Sequence, residues 1–545
     1  MTSSVIPKQQ RAIQLIGPDQ LVLNEAKPVP EPGPFQLLCK VEACGLCFSD
    51  LKLLKQFSAH PRKSEIVAGI DRSALAQMPH YVPGEKPTVP GHEAVVRIVS
   101  VGPNVTKYRP GERYLVQTDY RWLPTAASNS AFGYNFEGAL QQYVLMDERV
   151  ITSPQGESML IPAPEHLSAS AIALCEPWAC VEDAYAEKQR RTLKPGGRCL
   201  VVGSDPKLVQ AAGAEINRLV RNWPNPPEVT VCAPDVLPPG QFDDVLYLGA
   251  DPAVAERLFE KLAPAGLFII LQCGGKFGRA VVTPIGRVHY GGIRIVGTRG
   301  AELEAALRVI PDTVEIRPGE KINVVGAAGP MGTMHVIRDL CQGVQNVCVF
   351  AGDINEERLA VLEKLAAPLA LRNKLRLRIY NPVKEPPGEK FSYTVLLVPA
   401  AQLVAQAVQQ SAQGAIINIF AGIPANVTAQ IDLDTYIERG CYFVGTSGST
   451  LEDMKTVLGK VRAGALDTNL SVAAVAGLDG AIDGIRAVEQ NLVAGKIVVY
   501  PFAKGLGLTP LSELGRRYPS VAAALTNGCW TTAAEAELRR AFEGR

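Results

Sequence analysis

A chain of 545 residues exceeds the roughly 250 to 300 at which a single hydrophobic core stops growing, and predicts three or four domains. With 55 basic against 54 acidic side chains and 47% hydrophobic residues, it has the balance of a globular protein in water, and no charge excess directs it to nucleic acid or to an anionic membrane. Twelve scattered cysteines do not make the dense framework of a small secreted domain, and most are expected to be buried thiols.

The first residues, MTSSVIPKQQRAIQLIGPDQ, carry no apolar stretch behind a basic start. No window supplies the about 18 uninterrupted apolar residues of a membrane helix, so a cytoplasmic location without a membrane partner is expected. Up to about Asp147 short β-type runs, FQLLCKVEAC, EAVVRIVSVG, RYLVQTD and QQYVLM, are broken by Pro and Gly and predict a mostly antiparallel, barrel-like domain. From about Leu193 apolar strands alternate with longer amphipathic stretches, the rhythm of a parallel sheet flanked by helices.

That α/β texture occurs twice. One copy opens with LKPGGRCLVVG and closes with GGIRIVGTRG; the next opens with IRPGEKINVVG and closes with RGCYFVGTSG. The shared PGxxxxVVG openings and VGTxG endings, at 296–300 and 444–448, predict two tandem dinucleotide-type domains. After about Asp467 the mixed texture returns, with a strand-like GKIVVYP and a polar helical tail, TTAAEAELRRAFEGR.

In the second copy, strand INVV runs into Gly326-Ala327-Ala328-Gly329-Pro330-Met331-Gly332 and a helical TMHVIRDL. The first glycine permits the tight turn, the middle one lets backbone approach a pyrophosphate, and the last lets helix and strand pack closely. The spacing is GxxGxxG rather than GxGxxG, and glycines that merely turn a corner give the same pattern. Asp353, 21 residues beyond Gly332, adds a carboxylate placed to accept hydrogen bonds from an adenosine ribose and to repel a 2′-phosphate, which favours NAD over NADP. The equivalent stretch of the first copy has Asp205, Pro206 and Val209 in place of this pattern, so that copy is expected to have lost dinucleotide binding.

Three segments carry ligands that zinc accepts: Gly45-Leu46-Cys47-Phe48-Ser49-Asp50, Gly91-His92-Glu93 and Leu174-Cys175-Glu176-Pro177. A catalytic zinc takes sulfur, nitrogen and oxygen ligands and keeps one position open. Taken singly, each segment is equally compatible with ordinary core.

The runs VEACGLCFSD, VPGHEAVVRIVSVGPNV, GERYLV and ALCEPWACVEDAY, in this order, resemble the catalytic half of zinc-dependent medium-chain dehydrogenases/reductases, the alcohol and polyol dehydrogenase family. The resemblance covers roughly residues 10–195 and 318–545. GAAGPMG, FAGDINEERLAVL, INIFAGI, FVGTSGSTLEDMK and CWTTAAEAELRRAFEG are most similar to L-sorbose-1-phosphate reductase-like members. The resemblance implies that Cys47, His92 and Glu176 ligate zinc, that Glu93 enters and leaves its coordination, that Ser49 passes the substrate proton outward, and that Asp50 holds the ligand histidine. It implies a cofactor site at Gly326, Gly329, Pro330, Met331, Gly332 and Asp353. Residues 117–140 contain no cysteine, so one catalytic zinc per chain and no structural zinc is expected.

The implied fold is α/β: a GroES-like β-barrel catalytic domain at 1–190 completed by 468–545, a degenerate Rossmann-type domain at 191–317, and an NAD-binding Rossmann-type domain at 318–467. The implied function is hydride transfer between NAD(H) and a small-molecule secondary alcohol or ketone, a sugar phosphate or polyol. Alternatives are a non-phosphorylated alcohol such as threonine, and a non-catalytic NAD(H)-binding sensor. The first copy, ending in its own IRIVGTRG strand, is expected to stand in for a partner subunit as an intrachain pseudo-dimer that covers an exposed sheet edge, a homo-oligomer being compatible with this.

Overall fold

The computed structural model describes residues 6–446 and 448–543; residues 1–5 of the amino-terminal stretch, Ser447 of the second VGTxG ending and the last two residues of the tail lie outside them. Two compact units form, one from residues 1–179 with 449–545 and the other from 180–448. None of the twelve cysteines is in a disulfide, and Cys39, Cys44, Cys175, Cys199, Cys348 and Cys441 are buried. Among the described residues no helix is long and apolar enough to cross a membrane.

The first unit is built on strand Gln36–Gly45. Its early half pairs antiparallel with Tyr143–Asp147, its end pairs antiparallel with Lys496–Val499 from near the far end of the chain, and along its other side it pairs with Glu93–Val101. Arg113–Val116 and Leu160–Pro162 extend the sheet on one side, Val472–Ala476 and Thr509–Pro510 on the other. A hairpin of Gln9–Gly17 and Gln20–Pro28 lies apart from this sheet. Alternate residues, Leu37, Cys39 and Val41 on one strand and Val96 and Ile98 on the next, share one core with Phe132, Phe136, Ile497 and Val499, the period-two burial expected of strands. The tail is a helix, Thr532–Glu543, but not merely a polar one. Glu535 is buried and accepts hydrogen bonds from the Ala169 and Ser170 amides and from the Tyr500 hydroxyl.

In the second unit, Lys321–Val325, Cys348–Gly352, Arg376–Tyr380, Phe391–Leu396, Ser411–Ile419 and Tyr442–Val444 form a six-stranded sheet of parallel neighbours. Counted along the chain, their spatial order is 3-2-1-4-5-6, the doubly wound order of dinucleotide-binding domains. Arg198–Gly203, Glu228–Cys232, Phe242–Leu248, Leu262–Leu271 and Arg294–Thr298 repeat the plan with five parallel strands. The missing strand is the third, so Glu228–Cys232 is an edge strand with Val229 and Val231 exposed.

The two copies share one apolar core, from Phe268 and Ile295 to Ile417, Tyr436 and Phe443. Their closing strands, Arg294–Thr298 and Tyr442–Val444, lie beside each other, and Val281–Thr283 pairs antiparallel with Ala429–Ile431. Contacts run in both directions, and those at the two matching glycines are equivalent. The Tyr436 hydroxyl of the second copy donates to Ile295 O of the first at 2.8 Å, while His289 Nδ1 of the first lies 3.1 Å from Ile419 O of the second. A Cβ at Gly297 would stand 2.9 Å from Ile437, and one at the matching Gly445 would stand 3.0 Å from His289 Cα.

Candidate active site

Cys47 ends the turn after Gln36–Gly45 and caps helix Phe48–Gln56. Its amide donates to Asp50 Oδ2 at 3.0 Å, which ties the thiol and the acid into one rigid turn. His92 and Glu93 start the neighbouring strand, and the register sets Gly45 opposite Glu93. Two glycines make this approach possible. A Cβ at Gly45 would fall 2.1 Å from Glu93 Oε2, and Gly91, at φ +95°, would press a Cβ to 2.8 Å from Cys44 Sγ.

The ligand atoms of Cys47, His92 and Glu93 lie within 4.8 Å of one another. The buried Asp50 carboxylate accepts from His92 Nδ1 at 3.1 Å, so the proton sits on Nδ1 and Nε2 faces the thiol side. Ser49 Oγ donates to Cys47 Sγ at 3.1 Å and lies 3.1 Å from His92 Nε2. Glu176, in the first turn of helix Cys175–Ala186, is not part of the three-residue group. It is nonetheless in the same field: burial pushes its carboxyl up to about 7, Glu93 and Asp119 add to the rise, and His92 and Lys496 oppose it.

Burial works against a charge on His92, but Asp50, Tyr134 and the Cys47 thiol outweigh it and hold the imidazole well above its usual range. Burial likewise opposes ionisation of Asp50, and the His92 ring with the Cys47 amide overcomes it. Glu93 Oε1 is paired with Lys496 Nζ, both groups being buried. Glu93 Oε2 has no hydrogen-bond partner, an orphaned buried oxygen of the kind that otherwise costs stability.

Sequence reasoning missed Lys496. A lone cation opening the buried run KIVV was the available signal, but its partner lies 403 positions away. It also missed Tyr134, whose ring lies 5.8 Å from that of His92. The long segment between the Cys47 and His92 motifs is folded against the same body, through bridges of Ile66 to Thr125 and Tyr81 to Phe136.

In the second unit, Gly326 takes φ +84°, and helix Pro330–Cys341 begins with Gly329 as its cap and Pro330 and Met331 in its first turn. A Cβ at Gly332 would meet Gly326 O at 2.2 Å, whereas one at Gly329 has nothing nearer than that oxygen at 3.6 Å. Gly332 is therefore needed for packing, while the space before Gly329 stays open. Asp353 accepts from the Ala328 amide at 3.1 Å and from the Asn355 amide at 3.0 Å, which presents its carboxylate at the mouth of the loop. In the first copy the helix starts at once, at Pro206, and Asp205 spends its carboxylate on the Lys207 amide at 2.8 Å. By strand register the residue matching Asp353 is Ala233.

Residues 33–155 match the alcohol dehydrogenase GroES-like domain. An alcohol dehydrogenase of Rhizobium meliloti (strain 1021) is 28% identical over 198 residues, 34% of this chain and 47% of that protein. An L-sorbose 1-phosphate reductase of Klebsiella pneumoniae is 26% identical over 238 residues, 41% of this chain and 55% of that protein. The chain thus spans about half the length of these curated relatives. Among solved structures, 2R,3R-butanediol dehydrogenase from Bacillus subtilis is similar in fold, with a TM-score of 0.52 at 16% identity over 90% of this chain and 99% of that one.

Proposed function

We propose, from the premise that this chain is a member of the medium-chain dehydrogenase/reductase family, that it is an alcohol- or polyol-type oxidoreductase moving a hydride between NAD(H) and a secondary alcohol or ketone. The observation that carries this is the donor set of half-buried Cys47 with buried His92 and Glu93, and its orphaned Glu93 Oε2. Sulfur, nitrogen and carboxylate oxygen are the donors that zinc takes, so one zinc ion fits, held by Cys47, His92 and the carboxylates Glu93 and Glu176. When bound it would supply a Lewis acid for an alcohol or carbonyl oxygen.

The chain's own residues do the rest. Asp50 fixes the tautomer and orientation of His92 and raises its basicity as a ligand. Ser49 Oγ, within reach of both Cys47 and His92, is placed to carry the substrate proton away. Lys496 pairs with Glu93 and offsets the cost of burying that side chain beside the donor set. NAD would supply the hydride acceptor, its pyrophosphate against Gly326, Gly329 and Gly332 and the amino end of helix Pro330–Cys341, its ribose on Asp353.

We assign catalysis to 1–190 with 468–545, dinucleotide binding to 318–467, and a partner role to 191–317 as the second half of an intrachain pseudo-dimer. The reciprocal contacts of the Tyr436 and His289 segments support that role, since paired surfaces of like subunits exchange equivalent contacts. The substrate class is a polyol or sugar phosphate, in the cytoplasm. Incubating the protein with NAD and a panel of polyols, sugar phosphates and threonine tests the reading. NADH should form, a chelator should stop it and zinc should restore it; turnover indifferent to the chelator would overturn the metal assignment.

A further inference from the structure

Beside the metal group, Tyr134 is buried, its ring 5.8 Å from that of His92 and 5.1 Å from that of His60. The Arg62 guanidinium also lies over this ring, its carbon 5.5 Å from the ring centre. Arg62 Nη1 stands 2.6 Å from Asp119 Oδ1, with the arginine side chain 29% exposed. That carboxylate oxygen makes no hydrogen bond of proper geometry, so charge alone joins the two. Arg121 Nη2 approaches the same carboxylate at 3.9 Å. Two guanidinium groups therefore share one acid, and Lys52 adds a further cation felt at His60.

His60 is part of the same wall. Its Nδ1 accepts the Arg62 amide hydrogen at 3.2 Å, which leaves Nε2 carrying the proton. Burial, with Arg62 and Lys52 nearby, pulls the ring down to about 4, so at neutral pH it is an uncharged donor suited to a hydroxyl. Arg62 and His60 thus place a cation fork and a neutral donor against Tyr134, the buried ring that lies 5.8 Å from that of His92.

We infer that Arg62 binds an oxyanion carried by the substrate, a phosphate monoester or a carboxylate, while the reacting carbon lies at the Cys47, His92 and Glu93 group. This rests on the dehydrogenase reading for the identity of the reacting centre, and narrows its substrate to an anionic hydroxy or keto compound. A planar guanidinium presents parallel N–H donors that match phosphate or carboxylate oxygens. Asp119 holds the guanidinium over Tyr134 before the substrate arrives, and the poor hydrogen-bond geometry of that pair lets an incoming oxyanion take the donors without breaking a good bond. The excess of cation over acid at this wall favours an anion over a neutral polyol.

The test uses the full-length, zinc-loaded protein and three probes, L-sorbose 1-phosphate, D-gluconate and L-sorbose, titrated calorimetrically into wild type, Arg62→Leu and Arg62→Lys. One of the two anionic probes should bind wild type more tightly than L-sorbose, and which one does so identifies the oxyanion as phosphate or carboxylate. Arg62→Leu should weaken that probe by about 10- to 100-fold, the scale of lost hydrogen bonds to a charged group, and leave L-sorbose unchanged. Arg62→Lys should restore part of the loss, and KM rather than kcat should carry the effect. No preference of wild type for either anion, or an equal loss for anionic and neutral probes in Arg62→Leu, overturns the inference. The dehydrogenase reading fails separately: Arg62-dependent anion binding without NAD reduction removes that reading and keeps the oxyanion site, whereas NAD-linked turnover of the anionic probe that is indifferent to Arg62 does the reverse.

Discussion

Gly45 and Lys496 shape the Cys47, His92 and Glu93 group from outside it. A methyl at Gly45 would fall 2.1 Å from Glu93 Oε2 and 3.1 Å from Leu174 Cδ2. Gly45→Ala is expected to displace the carboxylate, lower the zinc content and cost about 1–3 kcal/mol, the range for forcing an extra carbon into a packed site; elemental analysis and a thermal melt check both. Lys496→Met leaves the Glu93 charge buried and unpaired, an expected loss of about 3–5 kcal/mol. Adding Glu93→Gln to it should recover most of that stability while zinc is still lost. Cys47, Ser49, Asp50, His92 and Glu93 were legible because short spacing within two motifs carries them. Lys496 was not, because strand pairing across 403 positions brings it in, and no local pattern encodes that. Arg62 and His60 escaped for a related reason, lying in a polar segment whose path over the body follows from tertiary packing.

At the scale of the element, the glycine loop separates two roles that sequence spacing alone merges. Gly332→Ala would put a carbon 2.2 Å from Gly326 O, whereas Gly329→Ala meets that oxygen only at 3.6 Å. Gly332→Ala should lower the melting temperature. Gly329→Ala should leave it unchanged and weaken NAD by about tenfold or more, the scale of forcing an extra carbon into a close contact, because its methyl would occupy the open space before the loop; titration and melting of both variants check this, and an unchanged NAD affinity in Gly329→Ala would remove the loop from the cofactor site. The helix that follows carries a pH dependence. His335 is fully buried, its Nδ1 2.8 Å from the Tyr185 hydroxyl and its Nε2 without a partner. Arg338 and Asp339 lie on its own helix, and Phe420 and Tyr185 close over it. Burial, aided by Arg338, depresses it from 6.5 to about 3, so the folded state keeps it neutral. At this group the folded form binds fewer protons than the unfolded one between these values, so its contribution to stability, full above about pH 6.5, falls as the pH drops toward 3, while Asp339 beside it, pushed up to about 8 by burial, contributes in the opposite direction. His335→Gln should remove the first of these contributions in a pH series of melts. The strands of both copies were legible from their apolar runs. The absent third strand of the first copy was not, since a missing element leaves only an unremarkable loop between 233 and 241.

For the molecule as a whole, the shared core of the two copies predicts that they unfold together. Tyr436→Phe removes a hydrogen bond from the second copy to Ile295 O of the first and should lower one common transition by about 1 kcal/mol; calorimetry that resolves separate transitions for the two copies would contradict the partner role of residues 191–317. The duplication itself was readable, because PGxxxxVVG and VGTxG recur in order. The pairing of Val281–Thr283 with Ala429–Ile431 was not, since those short strands carry no turn signal between them. The central claim, a metal group and a dinucleotide loop serving one oxidoreductase, is tested most directly by elemental analysis for zinc combined with NAD titration of wild type and Cys47→Ala. About one zinc per chain is expected, lost in Cys47→Ala, with NAD binding retained in both. NAD bound by a wild type that takes up no zinc would contradict it and leave a nucleotide sensor in its place.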